Sequence, residues 1–295
     1  MAILRRCQYL ILFRHSIDNS VCMNIKPEKA KDYEVASVRK ALDLLCAFGT
    51  VGPVLTVSDL SRYLSIPKST AHNLLRTLQS MCFVMQDKEK RFCLGPKVFE
   101  LGLLFSRDTQ FVTRAMPQVR RLADETKETV KLAIMSNDEL LIVAAIESPY
   151  QLHTRGDQGR RVPLHCTSLG KALLALLPDE ELHEIAARRG IPRFTPHTIT
   201  SVKRLKEELS RIRHRGFALD REEHEEGVRC AGAGFIEPSS GALGAISVSG
   251  PGTRITEARL LEFGALVSEA ARNIAGISRS ATEPADERRT VVEVG

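Results

Sequence analysis

The chain has 295 residues, long enough for two domains that each bury a core of their own. Its 42 Lys and Arg against 36 Asp and Glu give a net charge of +6, and no stretch is apolar for long enough to span a bilayer, which excludes a helical membrane protein. Seven cysteines, odd in number and without paired spacing, argue against a disulfide framework and for reduced thiols in a cytoplasm.

No repeat or low-complexity tract is present. The charge is uneven: residues 1–97 hold 15 Lys and Arg with 8 Asp and Glu, net +7, and the remainder holds 27 and 28, net −1. Cations that displace counterions from phosphates are therefore concentrated in the N-terminal third, although a solvated basic surface gives the same count. In chain order, residues 1–34 carry Arg5 and Arg6 before a short apolar run, Tyr9–Phe13. That run is shorter than a signal peptide requires and no small-residue cleavage site follows, so a disordered extension is expected, with Met23 as an alternative start. A helical stripe follows at Val38, Ala41, Leu42, Leu45 and Phe48.

Thr56 and Asp59 have the spacing of a capping box and open a short helix with Val57, Leu60 and Leu64 on one face. Ser65-Ile66-Pro67 breaks it. A second helix starts near Pro67, whose missing N–H suits a first-turn position. Ala71, Leu74, Leu75 and Leu78 form its buried stripe, which turns Ser69, Asn73, Arg76 and Ser80 outward with His72 and Thr77 beside them. Two short helices with a tight turn and a small polar outer face around one cation describe a helix-turn-helix, whose second helix enters a major groove. An ordinary helical hairpin with one solvated side has the same pattern. The expected DNA contacts are Lys68, Ser69, Thr70, His72, Asn73 and Arg76. Phe83–Met85, the charged turn 87–90 and Arg91–Leu94 then read as a β-hairpin placed like a wing.

The stretch 35–95 resembles the winged-helix domain of the IclR family of bacterial transcription regulators. The resemblance is carried by SVRKALDLL at 37–45, TVSDLSRYLSIPKSTAHNLLRTL at 56–78 and FCLG at 92–95. It departs at Ser65, where the family usually has Gly. By the same resemblance, the apolar helix around Val98, Leu101, Gly102, Leu104 and Phe105 is a linker helix that packs on its counterpart in a partner subunit. A helix packed only on its own domain would read alike.

Downstream the pattern becomes α+β: a helix through Met116–Ala123, strands at 130–135 and 140–147 joined by Asn137-Asp138, and helices at 167–177, 179–189 and 202–215. Strands at 230–237 and 242–249 meet at Pro238–Gly241, and a closing helix runs through Ala258–Ala270. Three blocks here resemble the IclR effector-binding domain, which has a GAF-like fold: GRRVPLHCTSLGKALLA at 159–175, RGFALDREEHEEGVRC at 215–230 and GALGAISVSGP at 241–251. The family's pocket positions fall on Thr167, Ser168, Asp220, Cys230, Ser247 and Ser249, with Ser168 where the family more often has Ala. Physically, hydroxyls at a helix start and two serines alternating along one strand face suit a small carboxylate; the same hydroxyls could instead cap the helix and pair with the sheet.

Two chemical alternatives use the same residues. Cys166 beside His165, with Asp220 and Glu223 downstream, could serve a thiol hydrolase, but neighbours on a strand or loop point apart. His165, Cys166, His224 and Cys230 lack the local pairing of a zinc site, and a buried Cys with a surface His is expected. Glu222, Glu223, Glu225 and Glu226 read as a solvated turn, with Glu223 or Glu226 possible at a pocket rim.

The sequence thus predicts an extension at 1–34, a winged helix-turn-helix at 35–97, a linker helix at 98–110, an effector-binding domain at 111–280 and a disordered tail at 281–295. The expected function is that of a cytoplasmic, non-enzymatic regulator without metal or cofactor. Its partners would be a double-stranded DNA operator and an organic-acid effector, and it would work as a homodimer or a dimer of dimers.

Overall fold

In the computed structural model, residues 34–108 and 110–276 are described, the side chains of 106–108 and 110 excepted. The expected extension before residue 34, the Met23 start and most of the tail lie outside them. The chain divides into two compact units, residues 1–113 and 114–295.

The first unit holds α1 (Ala36–Thr50), α2 (Val57–Tyr63), α3 (Lys68–Ser80), a two-stranded antiparallel hairpin of β1 (Val84–Gln86) and β2 (Phe92–Leu94), and α4 (Pro96–Asp108). The capping box of α2 is present: Asp59 N donates to the Thr56 hydroxyl at 3.2 Å, and Thr56 N donates to the Asp59 carboxylate at 3.0 Å. Leu44, Phe48, Leu60, Leu75, Leu78, Val84 and Phe92 form one core. The predicted stripe of α1 is corrected here. Leu44, Ala47 and Phe48 are its buried positions, whereas Val38 and Leu42 are more than half exposed. A backbone bridge from Leu55 to Phe92 adds a short third segment to the wing, too brief to leave a period-two pattern.

The second unit is α+β. Helix α5 (Gln110–Thr126) leads into a six-stranded antiparallel sheet of order β5-β4-β3-β8-β7-β6. Its strands are β3 (Thr129–Ser136), β4 (Glu139–Ile146), β5 (Arg161–Val162), β6 (Ala218–Arg221), β7 (Val228–Ile236) and β8 (Leu243–Pro251). The β3–β4 hairpin turns on Asn137 and Asp138, both at positive φ, as a two-residue hairpin loop requires. The helices are α6 (Ser168–Leu174), α7 (Asp179–Arg189), α8 (Val202–Arg215) and α9 (Glu257–Ile274). Strands β5 and β6 were not predicted: two and four residues are too few to show alternation. Helix α6 ends at Leu174, three residues short of expectation.

Helix α6 lies directly on β7. A Cβ added at Gly232 would sit 2.9 Å from the Ser168 carbonyl carbon, and one at Gly234 would sit 2.7 Å from the Ala172 oxygen. These two glycines let the helix reach the sheet, and this places Ser168 over the strands that carry the other candidate residues.

Candidate functional site

On α3, Ala71, Leu75 and Leu78 are buried, Lys68, Ser69, His72, Asn73 and Arg76 are exposed, and Thr70 is half-buried. Among the described residues no hydrogen bond or ion pair engages the side chains of Lys68, Asn73 or Arg76, so these donors are available to a ligand. The turn before α3 puts Ser65 at φ 52°, in the left-handed region that the more usual Gly enters freely.

In the second unit the register brings the other candidates together. Asp220 pairs with Cys230 across β6–β7, Cys230 with Ser249 across β7–β8, and Ser249 with Thr129 across β8–β3. Paired residues leave an antiparallel sheet on the same side, so these four form one row. The next row on that face runs Ala218, Gly232, Ser247, Lys131 and Ala145. Ser247 and Ser249 are both buried, and Cys230 Sγ donates to Ser249 Oγ at 3.1 Å. Thr167 is the N-cap of α6: its hydroxyl accepts from Gly170 N at 3.0 Å and donates to the Pro163 carbonyl at 2.7 Å. That hydroxyl is committed to the fold, as the capping alternative anticipated.

Under these rows lies a charged interior. Lys171 is fully buried, donates to the Leu219 carbonyl at 2.7 Å and is ion-paired with Glu223. Glu223 is therefore not part of a solvated turn; among its neighbours, Glu225 and Glu226 are exposed as expected, while Glu222 pairs with Arg229 at 3.2 Å. Asp220 accepts from Glu223 N at 2.8 Å, and burial pushes its carboxyl up to about 7, against the opposing pull of Lys171.

The thiol hydrolase alternative fails on its nucleophile. Burial, then the charges of Asp220 and Glu223, push Cys166 up to about 12, so the thiolate is scarce at neutral pH. His165 is buried rather than at the surface, its Nε2 lies 2.9 Å from the Pro192 carbonyl oxygen, and burial holds it below its ordinary range. Among the described residues no group of three or more His, Cys, Asp and Glu is placed to hold a metal ion, and the five described cysteines are free.

A cavity of about 290 Å3 opens beside this face, under Leu174, Leu182, Ile185 and Leu205. Its lining includes Pro163, whose carbonyl accepts from the Thr167 hydroxyl, and Leu164 and His165, which lead toward α6. Phe194, also in the lining, lies 5.9 Å from the His165 ring and 5.2 Å from the His224 ring, centroid to centroid.

Two family models match the chain. Residues 37–88 fit the IclR helix-turn-helix domain, and residues 106–276 fit the family described as bacterial transcriptional regulator IclR, C-terminal. The chain belongs to the IclR family of bacterial transcription regulators. The transcriptional repressor IclR of Escherichia coli (strain K12) is 33% identical over 244 residues, 82% of this chain and 89% of that protein. The HTH-type transcriptional repressor AllR of the same strain is 36% identical over 220 residues, 74% and 81%. Among solved structures, an IclR homolog from Microbacterium hydrocarbonoxydans complexed with 4-hydroxybenzoate superposes with a TM-score of 0.71 at 22% identity, covering 83% of this chain and all of that one. IclR proteins are DNA-binding regulators and not enzymes, and the helix-turn-helix is the part of this chain that meets DNA. Among the described residues no helix is long and apolar enough to cross a membrane.

The sequence missed Thr129 and Lys131 on the site face. Lys131 stands next to Ser247 in register, and only the β3–β8 pairing reveals it.

Proposed function

We propose that this regulator is ligand-responsive, with a small organic acid bound on the face of Ser247 and Ser249 controlling the affinity of α3 for an operator. The observation that carries this reading is the shared face of Asp220, Cys230, Ser249 and Ser247, with Ser168 held over Gly232 by α6. Ser247 and Ser249 would donate to the carboxylate oxygens. Asp220, which burial pushes up to about 7, keeps its proton in part at neutral pH and would exchange a hydrogen bond with a ligand hydroxyl or keto group with less repulsion of the anion than a full carboxylate. The homolog with bound 4-hydroxybenzoate, itself a hydroxy acid, supports the ligand class.

The working unit is a homodimer or a pair of dimers. Phe99, Leu101, Leu103 and Leu104 of α4 are largely exposed on more than one side of the helix, apolar surface of the kind that subunit contacts cover. A ligand that binds one arrangement of the C-terminal units more tightly shifts the population toward it and changes the spacing of the two α3 helices. On DNA, Asn73 and Arg76 read base edges while Lys68, Ser69, Thr70 and His72 hold the backbone. An operator as partner puts the protein in the cytoplasm. The test is calorimetric: the full-length protein is titrated with a panel of hydroxy and keto acids, and Ser247→Ala/Ser249→Ala should abolish the heat. A double variant that binds as the wild type does would refute the site.

A further inference from the structure

Lys131 is the third residue of β3, and it is paired with Ser247 of β8 on one side and Ala145 of β4 on the other. Its side chain therefore leaves the sheet on the face that carries Ser247, Ser249, Cys230 and Asp220. Its neighbours along the row are small, Ala145 on one side and Ser247 with Gly232 on the other, with Gly156 packed on Ala145 and Ser168 of α6 over Gly232.

The residue is half-buried, and among the described residues no carboxylate lies within ion-pair reach of it and no acceptor bonds it. Several charged groups of this unit are matched: Glu128 with Arg254 at 2.7 Å, Arg161 with Glu139 at 3.6 Å, Arg229 with Glu222 at 3.2 Å, and Lys171 with Glu223. The acid nearest by register is Glu147, diagonal to Lys131 across β4. Its carboxylate is already held by Gly156 N at 2.7 Å and lies 3.4 Å from His153. Asp220 is three strands away, on β6 beyond β8 and β7. The positive field of Lys131 is felt across the site, where it disfavours protonation of His224 and eases ionisation of Cys230. A partly desolvated cation without a counter-charge is unfavourable, and an arriving anion removes that cost.

We propose that Lys131 supplies the counter-charge for the effector carboxylate and is thereby the residue that selects acids over their neutral analogues. This rests on the site reading above and adds to it the group that recognises charge. The hydroxyls of Ser247 and Ser249 fix the position of the carboxylate, and the ammonium takes its charge.

The experiment uses the full-length protein and matched pairs of acid and primary amide: lactate and lactamide, pyruvate and pyruvamide, 4-hydroxybenzoate and 4-hydroxybenzamide. Affinities are measured by calorimetry for the wild type, Lys131→Met, Lys131→Arg and Ser247→Ala/Ser249→Ala, each first shown to melt like the wild type. The wild type should prefer at least one acid over its amide by about tenfold or more. Lys131→Met should erase that preference by weakening the acid and not the amide, and Lys131→Arg should restore most of it. A Lys131→Met variant that keeps the acid preference, or a wild type that prefers no acid, overturns the proposal. If Lys131→Met erases the preference while the double serine variant binds the acid normally, the serine site is wrong and the role of Lys131 stands.

Discussion

Lys171 and Glu223 are ion-paired inside the C-terminal unit, with side chains 1% and 9% exposed, and the second Glu223 oxygen, Oε2, is buried without a partner. Removing one member of such a pair strands the other charge at a cost of about 3–5 kcal/mol, whereas removing both charges is far milder. Lys171→Met should therefore lower unfolding stability by about 3–5 kcal/mol in urea. Lys171→Met/Glu223→Gln should recover most of the loss. A single variant as stable as the wild type would show that the pair carries no charge in the folded state.

Asp220 gives a pH dependence of opposite sign to the usual carboxylate. Its folded value near 7 lies above the ordinary 3.8, because burial disfavours the ion. Between those values the folded state holds a proton that the unfolded state has released. Stability from this group is complete below about pH 4 and is lost as pH rises toward 7. His165 and His224, both held low by burial, act in the other direction as pH falls below 6.5. They are unchanged in Asp220→Asn, so the difference between the two proteins reports Asp220 together with Glu223, whose charge it faces. Asp220→Asn should gain on the wild type between pH 5 and pH 8 in melting temperature, and a constant difference would place the Asp220 value in the ordinary range.

Ser65 occupies a left-handed conformation that costs a side chain about 1–2 kcal/mol, part of which a glycine gives back in unfolded-state entropy. Ser65→Gly should stabilise the N-terminal unit by about 0.5–1 kcal/mol in thermal unfolding. Destabilisation would mean that the serine hydroxyl contributes to the turn.

Local signals were legible and non-local ones were not. Thr56 with Asp59 and Asn137-Asp138 each specify a cap or turn within a few residues and appear where the sequence puts them, while Pro67, expected in the first turn, stands one residue earlier as the N-cap. Ser247 and Ser249 share a face because strand periodicity alone requires it. Val38 and Leu42 misled because α1 is apolar on more than one side, and only packing shows that Leu44 and Ala47 face the core. Glu223 looked solvated in a run of glutamates because its burial depends on Lys171, 52 residues away. Lys131 was invisible for the same reason: its place in the site is set by the pairing of β3 with β8.

On the DNA side, Arg76 can pair bidentately with guanine, a contact worth about 1–3 kcal/mol of discrimination. With a duplex selected by the wild type from a random pool, Arg76→Ala should weaken binding to that duplex by this amount and leave binding to unselected DNA nearly unchanged. Equal loss on both would make Arg76 a phosphate contact.

The central claim is that an acid bound in the C-terminal unit controls the DNA affinity of the N-terminal one. Fluorescence anisotropy of the selected duplex tests it most directly, with the full-length protein titrated by the acid that binds best in calorimetry. The wild type should change its DNA affinity as the acid saturates, and Ser247→Ala/Ser249→Ala should bind the duplex equally well without the acid and show no change with it. A double variant that responds to the same acid at the same concentration would contradict the account.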